Sequence, residues 1–258
     1  METLVVVSVV ALLLGVLLPT LSGAIGAARS AACASNLRQL QLANLMHAKD
    51  RDGRFAAGAP NPLQDLVRWH GARATLSSPF APEGGTLTRY LESAPTSDAL
   101  RECPSFARTQ DALRESSEGF DNGAGGYAYN NAFVGVQRHR TSSGAWIVAS
   151  SASGASQDRF RNPSRTLAFA DGAFAADDGL IEYAFLEPRF WPDIPGARTD
   201  PTTHFRHAER ANVVWLDGHL SSEVMTFTWS SGFWLTDSGS VGLGWFGDRD
   251  DNSLYDYE

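Results

Sequence analysis

Residues 1–50 are METLVVVSVVALLLGVLLPTLSGAIGAARSAACASNLRQLQLANLMHAKD, and this stretch decides the fold. No residue from Thr3 to Ala28 carries a formal charge, and the run from Leu4 to Leu18 is almost wholly leucine, valine and alanine. An α-helix rises about 1.5 Å per residue, so about 20 apolar residues cross a bilayer core of roughly 30 Å. Residues 1–28 are therefore predicted to be the membrane-spanning half of one long helix.

Residues 29–53 are predicted to continue this helix in amphipathic form. One face is built by four residues at spacings of three and four, namely Cys33, Leu37, Leu40 and Asn44. These spacings follow the 3.6-residue period of an α-helix, so we expect this face to lie against the sheet of a globular domain. The same wide apolar sector takes in Leu42, Leu45 and Met46. Asp52 and Gly53 then supply a stop signal.

Residues 54–258 are predicted to form a globular α+β head. Glycine and proline punctuate residues 54–98, where we expect only two short helices, at Pro62–His70 and Thr86–Ser93. Apolar runs bounded by turn residues predict strands at Gly144–Ser150, Thr166–Ala170, Leu180–Leu186, Ala211–Leu216 and His219–Phe227. The predicted fold is a long helix packed on a small antiparallel sheet with long irregular loops.

The charge balance argues against a nucleic-acid surface. The chain has 258 residues, a formal net charge of −8 and a pI near 5.2. A protein that binds nucleic acid needs a clustered basic face, whereas the arginines here are scattered along the chain. The length leaves room for the helix and one sizeable domain.

The two cysteines, Cys33 and Cys103, allow two interpretations. In a chain that leaves the cytoplasm they can form a disulfide, which would tie the long helix to the head. They can equally be two unpaired small hydrophobic residues, because two cysteines carry no spacing signature. Both interpretations stay open at this point.

Three interpretations compete for the N-terminal helix. A secretory signal peptide has a basic start, but Glu2 precedes the apolar run here and no Lys or Arg does, although residues 21–24 resemble a cleavage site. A buried core helix is seldom uncharged over such a length. The membrane anchor is favoured. Arg29 and Arg38 follow the apolar run, so the positive-inside rule by itself would place the head in the cytoplasm.

The N-terminus resembles that of type IV pilins and type II secretion pseudopilins. Glu2 is followed by the apolar run TLVVVSVVALLLGVLLP, and Pro19 falls where many type IV pilins have a helix-kinking proline. The resemblance implies that Glu2 pairs with the amino terminus of a neighbouring subunit and that the head is extracytoplasmic. Members of this family carry a basic leader ending in Gly-Phe-Thr-Leu, and we expect an in-frame segment upstream of Met1 to encode one.

A second resemblance lies near the C-terminus. His207, followed after nine residues by Asp217-Gly218, matches the His-x9-Asp-Gly signature of a large group of prepilin-type proteins. That group also commonly shows a cysteine before an Asn-Leu-Arg-Gln run, a Cys-Pro pair and a Tyr-x-Tyr-Asn segment. This chain has all three in the same order, at Cys33 with residues 36–39, at Cys103-Pro104 and at residues 127–130.

The hairpin signal overlaps this signature. Asp217-Gly218 lies between two β-rich runs, and a tight Asp-Gly turn calls for positive φ at both central residues. His207 is expected to form a hydrogen bond across to this hairpin and to fix a loop. The alternative is a zinc site formed by His204, His207, Asp217 and His219, although their spacing matches no zinc signature.

Two further sets of residues near the C-terminus invite a ligand. The acidic end offers oxygen ligands at alternating positions, which suits calcium, the one cofactor expected: Asp248, Asp250 and Asn252. A solvated acidic tail is the favoured alternative.

Three tryptophans cluster with phenylalanines late in the chain, namely Trp229, Trp234 and Trp245. Such rings can stack on sugars if they are exposed or fill the core if they are buried, and the core is favoured.

The functional expectation is a structural, non-enzymatic subunit. It would sit as a single-pass protein in the inner membrane and then pack its N-terminal helix into a filament, with homologous subunits, the inner-membrane assembly machinery and the lipid bilayer as partners. The alternatives are a membrane-anchored extracytoplasmic metal-dependent enzyme or carbohydrate-binding module, and a minor pilin that caps a fibre and binds a surface ligand.

Overall fold

A 49-residue helix, α1 (Glu2–Asp50), runs into a head made of small antiparallel sheets. This computed structural model describes residues 2–91, 102–107, 123–177 and 179–258, without the side chains of residues 2, 4, 5 and 10. The α+β class expected from the sequence is thereby confirmed. The side chain of Glu2 lies outside the described part of the chain.

The head contains one short helix, three 3₁₀ turns and twelve short strands among its described residues. The helical pieces are α2 (Thr88–Leu91) and the turns Gln157–Arg159, Pro163–Arg165 and Gly239–Val241. The strands are β1 (Val67–Arg68), β2 (Gly71–Ala72), β3 (Tyr127–Tyr129), β4 (Gln137–Arg140), β5 (Trp146–Ser150), β6 (Leu167–Asp171), β7 (Phe174–Ala176), β8 (Gly179–Ile181), β9 (Thr203–His204), β10 (Arg210–Trp215), β11 (Leu220–Val224) and β12 (Leu243–Gly244).

The main sheet has four antiparallel strands in the order β11-β10-β6-β3. All five residues of β6 are buried, as are five of the six in β10. Continuous apolar runs such as TLAFA and ANVVW suit strands that are covered on both faces. The amphipathic half of α1 packs against β10 and β6, so this sheet is the platform that holds the helix.

The two halves of α1 have opposite environments. Every described side chain from residue 3 to residue 28 is exposed, and this half is long and apolar enough to span a membrane by length and composition. From Cys33 onward the predicted face of the helix is buried against the head. Its four residues, Cys33, Leu37, Leu40 and Asn44, are at most 2% exposed. Pro19 lies within the assigned helix, where proline removes one backbone donor.

The apolar sector of α1 is narrower than the sequence suggests. Leu42 and Met46 are 49% and 52% exposed, which contradicts the expectation that both face the sheet, while Leu45 is half-buried against the core. A helix turns about 100° per residue, so a flat sheet covers only part of a wide apolar sector. The helix ends as expected, with positive φ at Asp52 and Gly53.

Three other predicted elements differ in the structure. Residues 62–70 form turns and strand β1 rather than a helix, because Asp65 has a φ of +52° and forms ion pairs with Arg68 and Arg73. The helix expected at Thr86–Ser93 is reduced to α2, and residues 92 and 93 lie outside the described part. In the run Leu180–Leu186, strand β8 ends at Ile181.

Candidate functional site

The landmarks of the sequence meet where α1 lies on the head. We call this region the helix–head junction and define it by five residues of α1 and the head groups that they contact. Each of the five has a partner outside the helix, through a covalent bond or a hydrogen bond. They are Ser30, Cys33, Asn36, Gln41 and Asn44.

A disulfide forms the covalent part of the junction. Cys33 on α1 is bonded to Cys103, and their Cα atoms are 5.0 Å apart. Both residues are completely buried, and the bridge closes a sequence separation of 70 residues. The sequence leaves open whether these cysteines are bonded or unpaired, and in the structure they are bonded.

A buried ion cluster lies beside this disulfide. Asp171, at the end of β6, is fully buried, and its Oδ1 accepts a hydrogen bond of 2.9 Å from Nη2 of Arg206. Its Oδ2 lies 3.2 Å from Nε2 of His207 and accepts the backbone N–H of Asn212 at 2.7 Å. One carboxylate thus joins β6, the segment before β10 and β10 itself.

The surroundings keep this carboxylate charged. Burial by itself disfavours the charged form, but the Arg206 guanidinium and the hydrogen bonds from His207 and Asn212 outweigh it. The pKa of Asp171 therefore lies below its usual value. Burial and the neighbouring Arg206 guanidinium disfavour the charged form of His204 and lower its pKa to about 3. The His204 imidazole is therefore neutral, and its Nδ1 accepts a hydrogen bond of 3.1 Å from Nη1 of Arg206.

His207 faces the disulfide rather than the hairpin. Its Nε2 lies 3.7 Å from Sγ of Cys103 and its Nδ1 lies 3.4 Å from Oγ of Ser105. The expected hydrogen bond from His207 to the hairpin is therefore wrong for its side chain. A six-residue strand, β10, separates the histidine from the turn, and at about 3.3 Å per residue it holds them roughly 20 Å apart.

Two amides of α1 make buried contacts with the sheet. Nδ2 of Asn36 donates to the Tyr127 hydroxyl at 2.9 Å, and Nε2 of Gln41 donates to the carbonyl of Leu216 at 2.6 Å. Leu216 is the first residue of the hairpin loop, so the Asp-Gly turn is connected to α1 through Gln41. Buried amides in such positions fix the register of the helix, because any shift leaves them without partners.

A third amide, Asn44, closes a small ring of hydrogen bonds. Its Nδ2 donates to the Tyr129 hydroxyl at 3.2 Å, its Oδ1 accepts the N–H of Ala56 at 3.0 Å, and the Tyr129 hydroxyl donates to the Ala56 carbonyl at 3.0 Å. In the same Tyr-x-Tyr-Asn segment, Asn130 donates to the carbonyls of Leu167 and Tyr255, each at 2.9 Å. The segment therefore binds α1, β6 and the C-terminal tail.

The Asp-Gly hairpin forms, with a loop longer than expected. The N–H of Trp215 donates to the carbonyl of His219 at 3.1 Å, which leaves three residues, 216–218, in the loop. Gly218 has a φ of +89°, whereas Asp217 is not in the left-handed region. A three-residue hairpin loop needs a left-handed residue only at its last position, so the expectation of positive φ at both residues is wrong.

The four residues considered for zinc do not come together. His204 is buried beside Arg206, and His207 faces Asp171 and the disulfide. Asp217 and His219 pair with each other at 2.6 Å at the exposed turn beyond β10. Within the described residues, one group of three residues of metal-binding types has its possible ligand atoms within 4.8 Å of one another, namely Cys33, Cys103 and His207. Its two cysteines form the disulfide.

The residues considered for calcium have protein partners. Arg198 donates two hydrogen bonds to the carboxylate of Asp250, at 2.9 and 2.7 Å, and these lower the pKa of Asp250 below its usual value although burial acts to raise it. Asn252 exchanges hydrogen bonds with the backbone of Phe190 through both side-chain atoms, at 3.0 and 2.9 Å. No hydrogen bond or ion pair joins Asp248 to Asp250 or Asn252 among the described residues. A calcium site here stays a prediction that competes with the arginine.

The late aromatic residues divide between core and surface. Trp245 is 1% exposed and donates to the carbonyl of Glu187, whereas Trp229 and Trp234 are half-buried. Phe233, next to Trp234, is 78% exposed. The core interpretation therefore holds for Trp245 and only partly for the others.

Three important residues are missing from the sequence-based candidates. Asp171 and Arg206 belong to the buried cluster, and the signal for Asp171 was an acid that directly follows the apolar run TLAFA. Glu182 accepts the N–H groups of Gly123 and Gly126, at 3.1 and 3.4 Å, and that of the intervening Gly125. The glycine-rich segment is therefore a cradle filled by a carboxylate of the same chain.

Comparison of the chain with protein-family models, with curated proteins and with solved structures finds no match in any of the three.

Proposed function

We propose that this chain is a structural, pseudopilin-like subunit of a type II secretion or type IV pilus-like filament. It is held in the inner membrane by the first half of α1 and later packed into a filament through the same helix. One observation carries the proposal, the division of α1 into an exposed apolar half and a half fixed to the head. An anchor alone needs no rigid continuation into its domain, whereas an assembly helix must hold its head in a fixed position.

The disulfide supports an extracytoplasmic head. Disulfides persist in oxidising compartments and are rare in the cytosol, and this bridge is fully buried between α1 and the head. In this arrangement the chain crosses the inner membrane once. Its partners are homologous subunits, the assembly machinery and the lipid bilayer, and nucleic acid is not among them.

Glu2 supplies the specificity of assembly in this proposal. A carboxylate on an apolar helix is costly in a membrane unless a partner compensates it, and membrane acids usually mark functional positions. A free amino terminus on the neighbouring subunit would provide that partner and set the register between stacked helices. The exposed helix around Pro19 would then supply the packing surface.

The test replaces Glu2 with alanine in the producing organism. We expect Glu2→Ala to reach the membrane fraction at the wild-type level, because the apolar run is unchanged. We expect its amount in sheared filaments to fall at least tenfold, as measured by immunoblotting of both fractions. Glu83→Ala, which removes an exposed acid from the head, is the matched control and should assemble normally. Wild-type incorporation of Glu2→Ala would refute the proposal.

A second candidate is a membrane-anchored carbohydrate-binding module, and the exposed ring of Phe233 beside Trp234 favours it. Exposed aromatic rings can stack on sugars. The filament experiment separates the two candidates, because an anchored binding module has no use for Glu2 once it is in the membrane. A minor pilin with a surface ligand would need both Glu2 and Phe233.

A further inference from the structure

A polar cavity of about 480 Å³ lies where the C-terminal end of α1 meets the head, and we call it the basic cavity. Its charged lining residues are Arg51, Asp52, Arg54 and Arg89, and His47 lines it as well. Three guanidinium groups thus outnumber one carboxylate, in a chain whose formal net charge is −8. We propose that the basic cavity binds an anionic ligand that carries two or more phosphate or carboxylate groups.

The turn that ends α1 positions two of the three arginines. The N–H groups of Arg51 and Gly53 both donate to the carbonyl of Ala48, at 3.1 and 2.8 Å. The N–H of Arg54 donates in turn to the carbonyl of Arg51 at 3.0 Å. Asp52 and Gly53 have φ values of +52° and +77°, as is usual where a helix stops in the left-handed conformation. One tight turn therefore brings Arg51 and Arg54 to the same cavity.

The guanidinium groups of Arg51 and Arg54 are available to a ligand. Both residues are exposed, and neither side chain makes a hydrogen bond or an ion pair with another described residue. The dipole of α1 places only roughly half a negative charge at this helix end, so it does not neutralise them. Arginine presents its donors as a planar fork that fits two oxygen atoms of a phosphate or a carboxylate. These side chains therefore suit an oxyanion.

The third arginine, Arg89, has only weak competition for its charge. Its Nη2 donates to Oδ2 of Asp50 at 3.2 Å and to the Tyr90 hydroxyl at 2.7 Å. The side chains of Arg89 and Asp50 are 59% and 52% exposed, and ion pairs exposed to this degree contribute little because water screens them. A ligand with several negative charges can therefore compete with Asp50 for this guanidinium.

The ring of His47 responds to the positive charge of the cavity. Burial is the main reason why the pKa of His47 lies below its usual value, and the charges of Arg51 and Arg89 lower the pKa further. A contact of 3.2 Å between Nδ1 and the carbonyl of Arg54 and the charge of Asp50 act in the opposite direction. A bound anion would offset the charge of the arginines, so it should raise the pKa of His47.

The other side of the cavity supplies a neutral donor. Oγ of Ser153 accepts a hydrogen bond of 2.6 Å from Nε2 of Gln137, which leaves the hydroxyl hydrogen of Ser153 for a ligand. Cavities of about 300–1,000 Å³ typically hold small organic ligands. The size of the basic cavity therefore suits a molecule with several anionic groups better than a single small ion.

The position of the cavity excludes one source of anionic groups. Ala28 and Asp50 are 22 residues apart, and at about 1.5 Å per residue the helix carries the cavity roughly 33 Å beyond the apolar half of α1. Phosphate groups of the lipids around that half are out of reach at this distance. Size and position together favour a small soluble ligand. The inference concerns the head and does not depend on filament assembly.

The test titrates the full chain in detergent and low salt with two probes, inorganic pyrophosphate and citrate, by calorimetry. We expect one site per chain for at least one of them, and their ratio of affinities shows whether phosphate or carboxylate groups are preferred. Acetate, with a single charge, should bind at least tenfold more weakly. Arg51→Gln should weaken binding at least tenfold, whereas Arg161→Gln, which removes an exposed arginine outside the cavity, should bind like the wild type.

Nuclear magnetic resonance of the histidine rings locates the bound probe. We expect the pKa of His47 to rise when the better probe is bound, and the ring signals of His139, an exposed histidine of β4, not to respond. The proposal is overturned if neither probe binds stoichiometrically, if Arg51→Gln and Arg161→Gln bind equally, or if the His47 signals do not respond. None of these results bears on the Glu2 test, so the two proposals fail separately.

Discussion

Asp171 is the acid at the centre of the buried ion cluster beside the disulfide. It is fully buried and accepts hydrogen bonds from a guanidinium, an imidazole and a backbone N–H. Arg206, its main counter-charge, has a side chain that is only 4% exposed. Removal of one partner from a buried ion pair leaves the other uncompensated, which typically costs about 3–5 kcal/mol.

Asp171→Asn is therefore expected to lower the free energy of unfolding at neutral pH by about 3 kcal/mol or more. Urea denaturation of the full chain in detergent, followed by tryptophan fluorescence, measures this change. Asp158→Asn replaces an exposed aspartate and should change stability by no more than about 0.5 kcal/mol. Equal effects of the two substitutions would show that the buried cluster contributes nothing.

The same substitution should alter the response to acid. An unfolded aspartate has a pKa of about 3.9, and the pKa of Asp171 in the folded chain is lower. Its stabilisation is therefore complete above the unfolded pKa and is lost as the pH falls through the folded one. We expect the difference in unfolding free energy between wild type and Asp171→Asn to shrink as the pH is lowered from about 7 to about 2.

At the scale of elements, the disulfide joins α1 to the rest of the chain. Cys33 and Cys103 are 70 residues apart in sequence, so the bond closes a long loop in the unfolded state. A loop of that length gives a stabilisation of about 4 kcal/mol in the chain-entropy description. The amides of Asn36, Gln41 and Asn44 hold the same helix without covalent bonds.

The double variant Cys33→Ser/Cys103→Ser is expected to lose about 4 kcal/mol of unfolding free energy. Chemical denaturation under oxidising conditions measures the loss. The wild type in reductant should show a similar loss, which controls for the serine hydroxyls. A loss below about 1 kcal/mol would mean that the hydrogen bonds of the junction hold α1 by themselves.

The sequence predicts elements better than it predicts their contacts. The buried face with Cys33 and Leu37 follows from local spacing, since the helical period places these residues on one side. Leu42 and Met46 have the same character, but the width of the sheet decides which edge of the sector is covered. The partner of Asp171 could not be predicted, because Arg206 is 35 residues away and approaches only when β6 and β10 pair.

The hairpin illustrates the same limit. Its position follows from Asp217-Gly218 between two β-rich runs, a local signal that the pairing of β10 with β11 confirms. The partner of His207 depends instead on the length of β10, which carries the histidine and the turn to opposite ends of one strand. Proximity in sequence was a poor guide because an extended strand separates its ends more than any other element.

At the scale of the whole molecule, the chain consists of a head that includes half of α1 and an apolar half-helix. The described side chains of this half-helix up to residue 28 are exposed, so they lie outside the buried core of the head. The junction begins at Ser30, whose hydroxyl and carbonyl contact Asn212 of β10. The boundary between the two parts therefore falls between residues 28 and 30.

A chain of residues 29–258 is accordingly expected to fold without detergent and to melt within about 2 °C of the full chain, because surface changes away from buried features alter stability little. A chain of residues 41–258 lacks Cys33, Leu37 and Leu40, and each such buried residue typically contributes about 2–5 kcal/mol, so it should lose cooperative unfolding. Near-ultraviolet circular dichroism during heating distinguishes the two outcomes. If residues 29–258 also failed to unfold cooperatively, the exposed half-helix would have to be part of the folded unit, and its role as a separate membrane and assembly segment would be wrong.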